Sequence, residues 1–449
     1  MASRDLTTGS IPKHLLALAV PVIGAMLLQS VYALVDLMWI KRLGEQAVAG
    51  LSINLQVFFI ILSLSQVIST TAMADMSNLW GKGERDKARD AFASFLGVAV
   101  GLGLLTFGLA ELGAEAYVHA FTDDPVVGQL GLEYFQVNAI TFVLQLLLIV
   151  LGYGLRASGD FITPMLVMVA SVLTNLVLDP LLIFGVGEWE GMGISGAAWA
   201  TVVGQSVALT GYLGLLLRAR GHADQMSIGK PRYTWGFFQQ LLVRGVPAGT
   251  QYLLMSVVMA MSLWAMKPHG AVYTATAGGG FRVLQQAILP VVALASAAAA
   301  MSGQNMGAGL PDRIRTTSRT TLSWSLVFTL LMCGAFLLFP RFFASLFAQP
   351  EELAVASQYF RWSAPMIVGL GLSMPPTMVL QALKQPWTPL SAAMGRVGIL
   401  ALLILLWLIP AQAPPEWVFG AIAWTAFAEG LLGTGLLALR LRKLPGAPA

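Results

Sequence analysis

Long apolar stretches, interrupted by short polar intervals, fill this chain from end to end. Windows of this kind lie near 15–40, 48–79, 92–114, 128–152, 163–186, 193–217, 239–266, 273–303, 320–346, 357–379, 389–410 and 417–439. At about 1.5 Å per residue, each is long enough to cross roughly 30 Å of hydrocarbon. The pattern predicts twelve transmembrane helices, an all-α polytopic membrane protein. Gly (46) and Pro (22) recur inside the windows, which is tolerated where neighbouring helices re-satisfy the freed backbone groups.

The windows also repeat. Residues 11–226 and 237–449 align with an almost constant offset. A shift of 226 pairs Val20-Pro21 with Val246-Pro247, Gly44 with Gly270, Gly81 with Gly307, Gly83 with Gly309, Asp86 with Asp312 and Arg89 with Arg315. One residue is then lost where FTDDP becomes FAQP. A shift of 225 pairs Pro125 with Pro350, Tyr134-Phe135 with Tyr359-Phe360, and Thr163-Pro164 with Thr388-Pro389. The chain is a duplication of a six-helix unit. An even helix number makes the repeats parallel, related by a pseudo-two-fold axis along the membrane normal. The expected organisation is an N-terminal lobe at 1–217, a polar cytoplasmic linker at 218–238 and a C-terminal lobe at 239–449. Two such lobes around a midplane cavity favour alternating access, although channels and membrane enzymes also duplicate.

Composition sharpens this. Charged residues are 11% of the chain and apolar residues 57%, with mean hydropathy +0.74. Soluble domains carry roughly 25% charge, so a soluble globule is excluded. With the N-terminus inside, eighteen of the 26 Lys and Arg fall on inner segments and four on outer ones. This positive-inside bias places both termini in the cytoplasm and the chain in the inner (plasma) membrane. The net charge of +4 therefore reports topology and gives no reason to invoke nucleic acid. The first apolar segment lacks a small-residue cleavage site and reads as a retained helix. Cys333 is the one cysteine, so no intrachain disulfide or cysteine-rich metal site is possible. No Walker, HExxH, GxSxG or CxxC motif occurs, and the four histidines are scattered. Neither enzyme chemistry nor a cofactor is implied.

Two acids interrupt the spans. An ionised carboxylate in hydrocarbon costs about 2.5–3.5 kcal/mol on insertion scales, so Asp36 and Asp179 need a protein interior or a wet cavity. Gln29, Tyr32 and Asp36 share one face of the first helix, and Asn175 and Asp179 share one face of the fifth. Pro180 follows Asp179 and frees a nearby carbonyl. Thr201 lies at similar depth on the sixth helix. These oxygens suit a proton or Na⁺ at Asp36, Asn175, Asp179 and Thr201, with Gln29 and Tyr32 lining the cavity. The alternatives are that Asp36 snorkels outward to Lys41 or Arg42, and that Asn175 and Asp179 only join helices. Pro21 opens the helix carrying Asp36 and either gates it by bending or is a static kink. In the second half Asp36 aligns with Ser262 and Asp179 with Ile404. Glu429 is the only acid within its spans, either a second protonatable group or a partner for Arg396 or Arg282. Glu133 and Asp75 lie near span ends and should meet water.

Three segments carry a family resemblance. VDLMWIKRLGEQAVAGLS resembles the first-helix exit of multidrug and toxic compound extrusion (MATE) transporters. GQNMGAG resembles a loop of their second half, and NLVLDPLLIFG with GISGAAWAT resembles their fifth- and sixth-helix signature. The resemblance covers nearly the whole chain. The DinF-type branch is matched at Gln29, Tyr32, Asp36, Asn175, Asp179 and Thr201, and its gating proline at Pro21. The NorM-type branch uses acids on its seventh and tenth helices, whereas 239–266 and 357–379 contain none. Membership implies a monomeric exporter, in contact with membrane lipids, that exchanges lipophilic cationic small molecules for protons or Na⁺. The rival is a flippase for a lipid-linked or amphipathic substrate in a related two-lobed superfamily. It would need clustered cavity cations, and only Arg282 and Arg396 are available. A membrane-embedded transferase or hydrolase would need a nucleophile–base or metal constellation that this chain lacks.

Overall fold

The apolar windows are helices in the computed structural model, which describes residues 4–219 and 225–445. The helices are α1 (Ile11–Lys41), α2 (Glu45–Gly81), α3 (Arg85–His119), α4 (Pro125–Ala157), α5 (Ile162–Phe184), α6 (Ile194–Arg218) and α7 (Trp235–Met266). There follow α8 (Ala271–Ala287), α9 (Leu289–Gly307), α10 (Pro311–Leu338), the short α11 (Pro340–Ala344), α12 (Leu353–Ala382), α13 (Trp387–Leu403) and α14 (Pro415–Arg442). Among the described residues ten single helices are long and apolar enough to cross a membrane, and the α8–α9 pair makes an eleventh. The 37-residue α2 occupies the second of the apolar windows. The only extended pairing described is an isolated bridge between Val186 and Trp189.

Three windows expected as single helices are interrupted. The window 273–303 bends by 45° between α8 and α9, where Pro290 opens the second piece. The window 320–346 breaks at Phe339, and Pro340 starts α11. In the window 389–410, α13 passes into a π turn at Ile404–Leu408. Proline explains the first two breaks, because it removes an N–H and clashes with the preceding turn.

One compact unit comprises Met1–Asp5 and Val20–Gly245; the other comprises Leu6–Ala19 and Val246–Ala449. The chain changes unit inside α1 and inside α7, each time just before a repeated proline, Pro21 or Pro247. Of the expected linker, residues 220–224 lie outside the described residues.

The first unit also contains the start of α7. Arg244 Nη1 lies 2.8 Å from Asp75 Oδ1 on α2. Asp75 therefore does not simply meet water, as its place near a span end suggested. The packing partner that α7 brings is invisible in a one-dimensional reading. In the second unit an aromatic cluster fills the core, with Phe336 edge-on to Phe343 at 4.6 Å and Tyr359 edge-on to Phe419 at 5.0 Å.

The repeated Gly-x-x-Asp-x-x-Arg pattern has one structural role in both units. Gly83 and Gly309 take φ of 77° and 70°, left-handed values that favour glycine. The following helices hold ion pairs Asp86–Arg89 (3.1 Å) and Asp312–Arg315 (2.6 Å). Arg89 then donates to Gln225 O at 3.0 Å, beyond α6. Arg315 donates to Leu441 O, Leu444 O and Pro445 O at the end of α14. Each arginine ties down the chain that leaves the last helix of its own repeat.

Candidate ion-binding site

The site lies in the first unit, between α1, α4, α5 and α6. Small residues let α6 approach α5: a Cβ added to Gly204 would stand 2.9 Å from Ser171 O. That approach faces Thr201 to Asn175. The Asn175 Nδ2 donates to Thr201 Oγ1 at 3.3 Å, and Tyr32 Oη lies 3.2 Å from the same oxygen. Thr201 Oγ1 in turn donates to Ala197 O, one turn back, at 3.2 Å. With its own proton directed there, the threonine oxygen accepts from both Asn175 and Tyr32. One hydroxyl thus joins three helices.

What remains is a set of acceptors. Asp179 is fully buried, Asn175 is 3% exposed, and Asp36 is half-buried. Asp36 Oδ1, Asn175 Oδ1 and both Asp179 oxygens are buried without a hydrogen-bond partner. Asp36 lies one helical turn beyond Tyr32 on α1, and Asp179 one turn beyond Asn175 on α5. A buried, unpaired carboxylate is costly, and these oxygens have no protein donor to offset it. Such unpaired acceptors have the chemistry to take up a proton or a small cation. Among the described residues no group of three or more His, Cys, Asp or Glu is assembled.

Asp36, Tyr32, Asn175, Asp179 and Thr201 therefore come together as their helical spacing indicated. Asp36 forms no ion pair with Lys41 or Arg42; Arg42 instead stacks over Trp39, 4.6 Å from the ring centroid. Gln29 is exposed and stands outside the hydrogen-bonded group. Pro21 lies within α1, beside the change of unit. Sequence reasoning missed Tyr134 on α4, which is 8% exposed and packs with Ile40, Ile183 and Ala198. Its Tyr-Phe pair had served only as punctuation of the repeat. The available signal was a buried phenol, which needs a polar partner.

An ion pair lies within the apolar windows of the second unit. Arg396 Nη1 donates to Glu429 Oε2 at 3.1 Å, with both side chains mostly buried. Glu429 is thus the partner of Arg396. The pair takes the repeat positions of Ser171 and Gly204, one turn from Asn175 and Thr201.

The MatE family model matches the chain twice, at residues 21–181 and 247–407. The chain belongs to the MatE family of multidrug and toxic compound extrusion transporters. The two matches start 226 residues apart, the same offset as the internal repeat. This MATE protein is 29% identical to the FAD transporter of Shewanella oneidensis over 413 residues, 88% of each chain. It is 25% identical to the probable multidrug resistance protein YpnP of Bacillus subtilis, over 89% of this chain and 93% of that one. Solved structures share its fold. A MATE crystallised in complex with MaL6 superposes with a TM-score of 0.90 at 19% identity, covering 99% of both chains. An outward-facing multidrug resistance MATE transporter of the MOP superfamily gives 0.89 at 20% identity over the same shares. This MATE chain is a multi-pass membrane transporter of two six-helix halves, and it is not an enzyme.

Proposed function

We propose that this MATE protein is a secondary multidrug exporter of the DinF-type branch, with its coupling ion bound in the first unit. A proton, or Na⁺ in its place, neutralises Asp36 and Asp179 from outside, while a lipophilic organic cation leaves. Asn175 and Thr201 add neutral oxygens to the ion site, Gln29 and Tyr32 line the cavity, and bending of α1 at Pro21 couples occupancy to access. Both termini face the cytoplasm of a cell whose plasma membrane holds the protein as a monomer among its lipids. The carrying observation is Asp179: fully buried, with neither carboxylate oxygen hydrogen-bonded. Such a group demands a proton or cation whenever it is shut away from water. A potential of ~100 mV supplies about 2.3 kcal/mol per charge moved, which sustains roughly fifty-fold accumulation. The test is uptake of an ethidium-like cation by proteoliposomes under imposed pH and Na⁺ gradients. Uptake driven by either gradient and lost in Asp36→Asn supports the reading; undiminished uptake in that variant refutes it.

A second reading follows from the relative named as an FAD transporter. A flavin nucleotide is an amphipathic anion, and the exposed Arg282 is a cation within the apolar windows that could meet it, Arg396 being paired with Glu429. Testing FAD beside the organic cation in the same vesicles separates the two substrate classes.

A further inference from the structure

Gln304, Asn305 and Arg313 stand apart from the ion cluster, yet they converge on one short stretch of main chain. That stretch is Leu6–Gly9, just before α1 and in the same unit as these side chains. The Leu6 N–H donates to Gln304 Oε1 at 3.2 Å, and Asn305 Nδ2 donates to Leu6 O at 3.3 Å. The Arg313 guanidinium donates to Leu6 O at 3.3 Å, Thr8 O at 2.9 Å and Gly9 O at 3.0 Å. Its Nε is held by Asn305 Oδ1 at 3.1 Å, and Asn305 is anchored in turn on Met301 O at 2.7 Å. Gln304 and Asn305 are 1% and 0% exposed, and Leu6 is fully buried beside them. These are two of the polar residues in the GQNMGAG motif, and the proposed transport chemistry does not use them.

Each of these hydrogen bonds to the leader ends on a backbone atom. They therefore read the path of the chain, while the buried Leu6 side chain adds an apolar anchor. A planar guanidinium can serve several carbonyls at fixed angles, which a lysine ammonium cannot reproduce. Past Gly9 the chain enters α1 at Ile11, and Ile11–Ala19 stay with the second unit. From Val20 onward α1 belongs to the first unit and carries Tyr32 and Asp36. A helix is stiff along its axis, rising about 1.5 Å per residue. A rod held at its start responds to a pull on its far part by bending at its weakest point. A rod free at its start slides instead.

We infer that Gln304, Asn305 and Arg313 form a clamp that fixes the axial position of α1, which makes them positioning residues for the transport cycle. The inference rests on the antiport reading, in which Asp36 on the far part of α1 carries the coupling ion. Release of the clamp lets α1 shift lengthwise, so ion binding at Asp36 no longer drives the bend.

The test uses the full chain and three variants. Arg313→Ala removes the grip. Insertion of one glycine after Gly9 leaves the grip intact but slackens its link to α1. Backbone amide exchange of the leader reports the grip; ethidium binding and gradient-driven uptake report function. In Arg313→Ala, exchange at the leader should accelerate at least tenfold and maximal uptake should fall at least fivefold, with ethidium affinity within twofold of the parent. Arg313→Lys should restore neither property. The insertion should keep slow exchange and still lose uptake. Unchanged leader exchange in Arg313→Ala, or parental uptake by the insertion variant, overturns the proposal. The exchange result does not depend on which ion is coupled, so failure of the antiport reading is seen separately, in Asp36→Asn.

Discussion

Tyr32 on α1 and Thr201 on α6 stand 3.2 Å apart, hydroxyl to hydroxyl. Asn175 on α5 donates to the same threonine oxygen at 3.3 Å. Replacing Tyr32 by Phe keeps the ring and removes only this bond, whose net value is about 1 kcal/mol. The expected outcome is roughly fivefold weaker apparent affinity for the coupling ion, with maximal uptake retained when that ion is raised. Uptake rates titrated against pH and against Na⁺ check it.

Thr201→Val goes further. It removes the shared acceptor, so Asn175 and Tyr32 both lose their partner inside the protein. Leaving buried donors unmet costs about 1–3 kcal/mol. Thermal unfolding in detergent should show the loss of stability, and uptake should fall more than in Tyr32→Phe.

Close packing of α5 and α6 makes these bonds possible, and it was only partly legible in the sequence. Glycine and alanine spacing announced a close approach, and the acids announced a site, because charge inside an apolar window needs an explanation. Periodicity then placed Tyr32, Asp36, Asn175 and Asp179 on the right faces. Gln29 shares that angular face and stands exposed on α1, outside the hydrogen-bonded group. Tyr134 escaped because its neighbour Glu133 lies near a span end and reads as meeting water, while the Tyr-Phe pair served only to mark the repeat. The duplication was fully legible, since proline and glycine punctuation survives even where side-chain identity drifts. The 45° bend between α8 and α9 was not, because a proline inside an apolar window marks a kink without giving its angle. Replacing Gly204 by Leu tests the close approach. Its side chain would meet Ser171 O and Asn175 Cβ, and overpacking of this kind costs about 1–3 kcal/mol. A lower unfolding temperature together with lost ion dependence is expected.

The Arg396–Glu429 pair calls for a different pattern. Removing one member of a buried ion pair costs about 3–5 kcal/mol, whereas replacing both with apolar residues is often neutral. Arg396→Met and Glu429→Leu should each destabilise the protein strongly when made alone. The double variant should recover most of the loss. Uptake of the organic cation by that stable double variant shows whether the pair takes part in transport, and retained uptake is expected because the coupling acids lie in the other unit.

The most direct measurement is gradient-driven uptake by Asp179→Asn, an isosteric change that keeps the volume and discards the ionisable oxygen. Protein reconstituted at the parent's level should bind ethidium yet show at least a tenfold loss of uptake under both pH and Na⁺ gradients. Uptake at the parental rate, still responding to either gradient, would contradict a coupling site at Asp179.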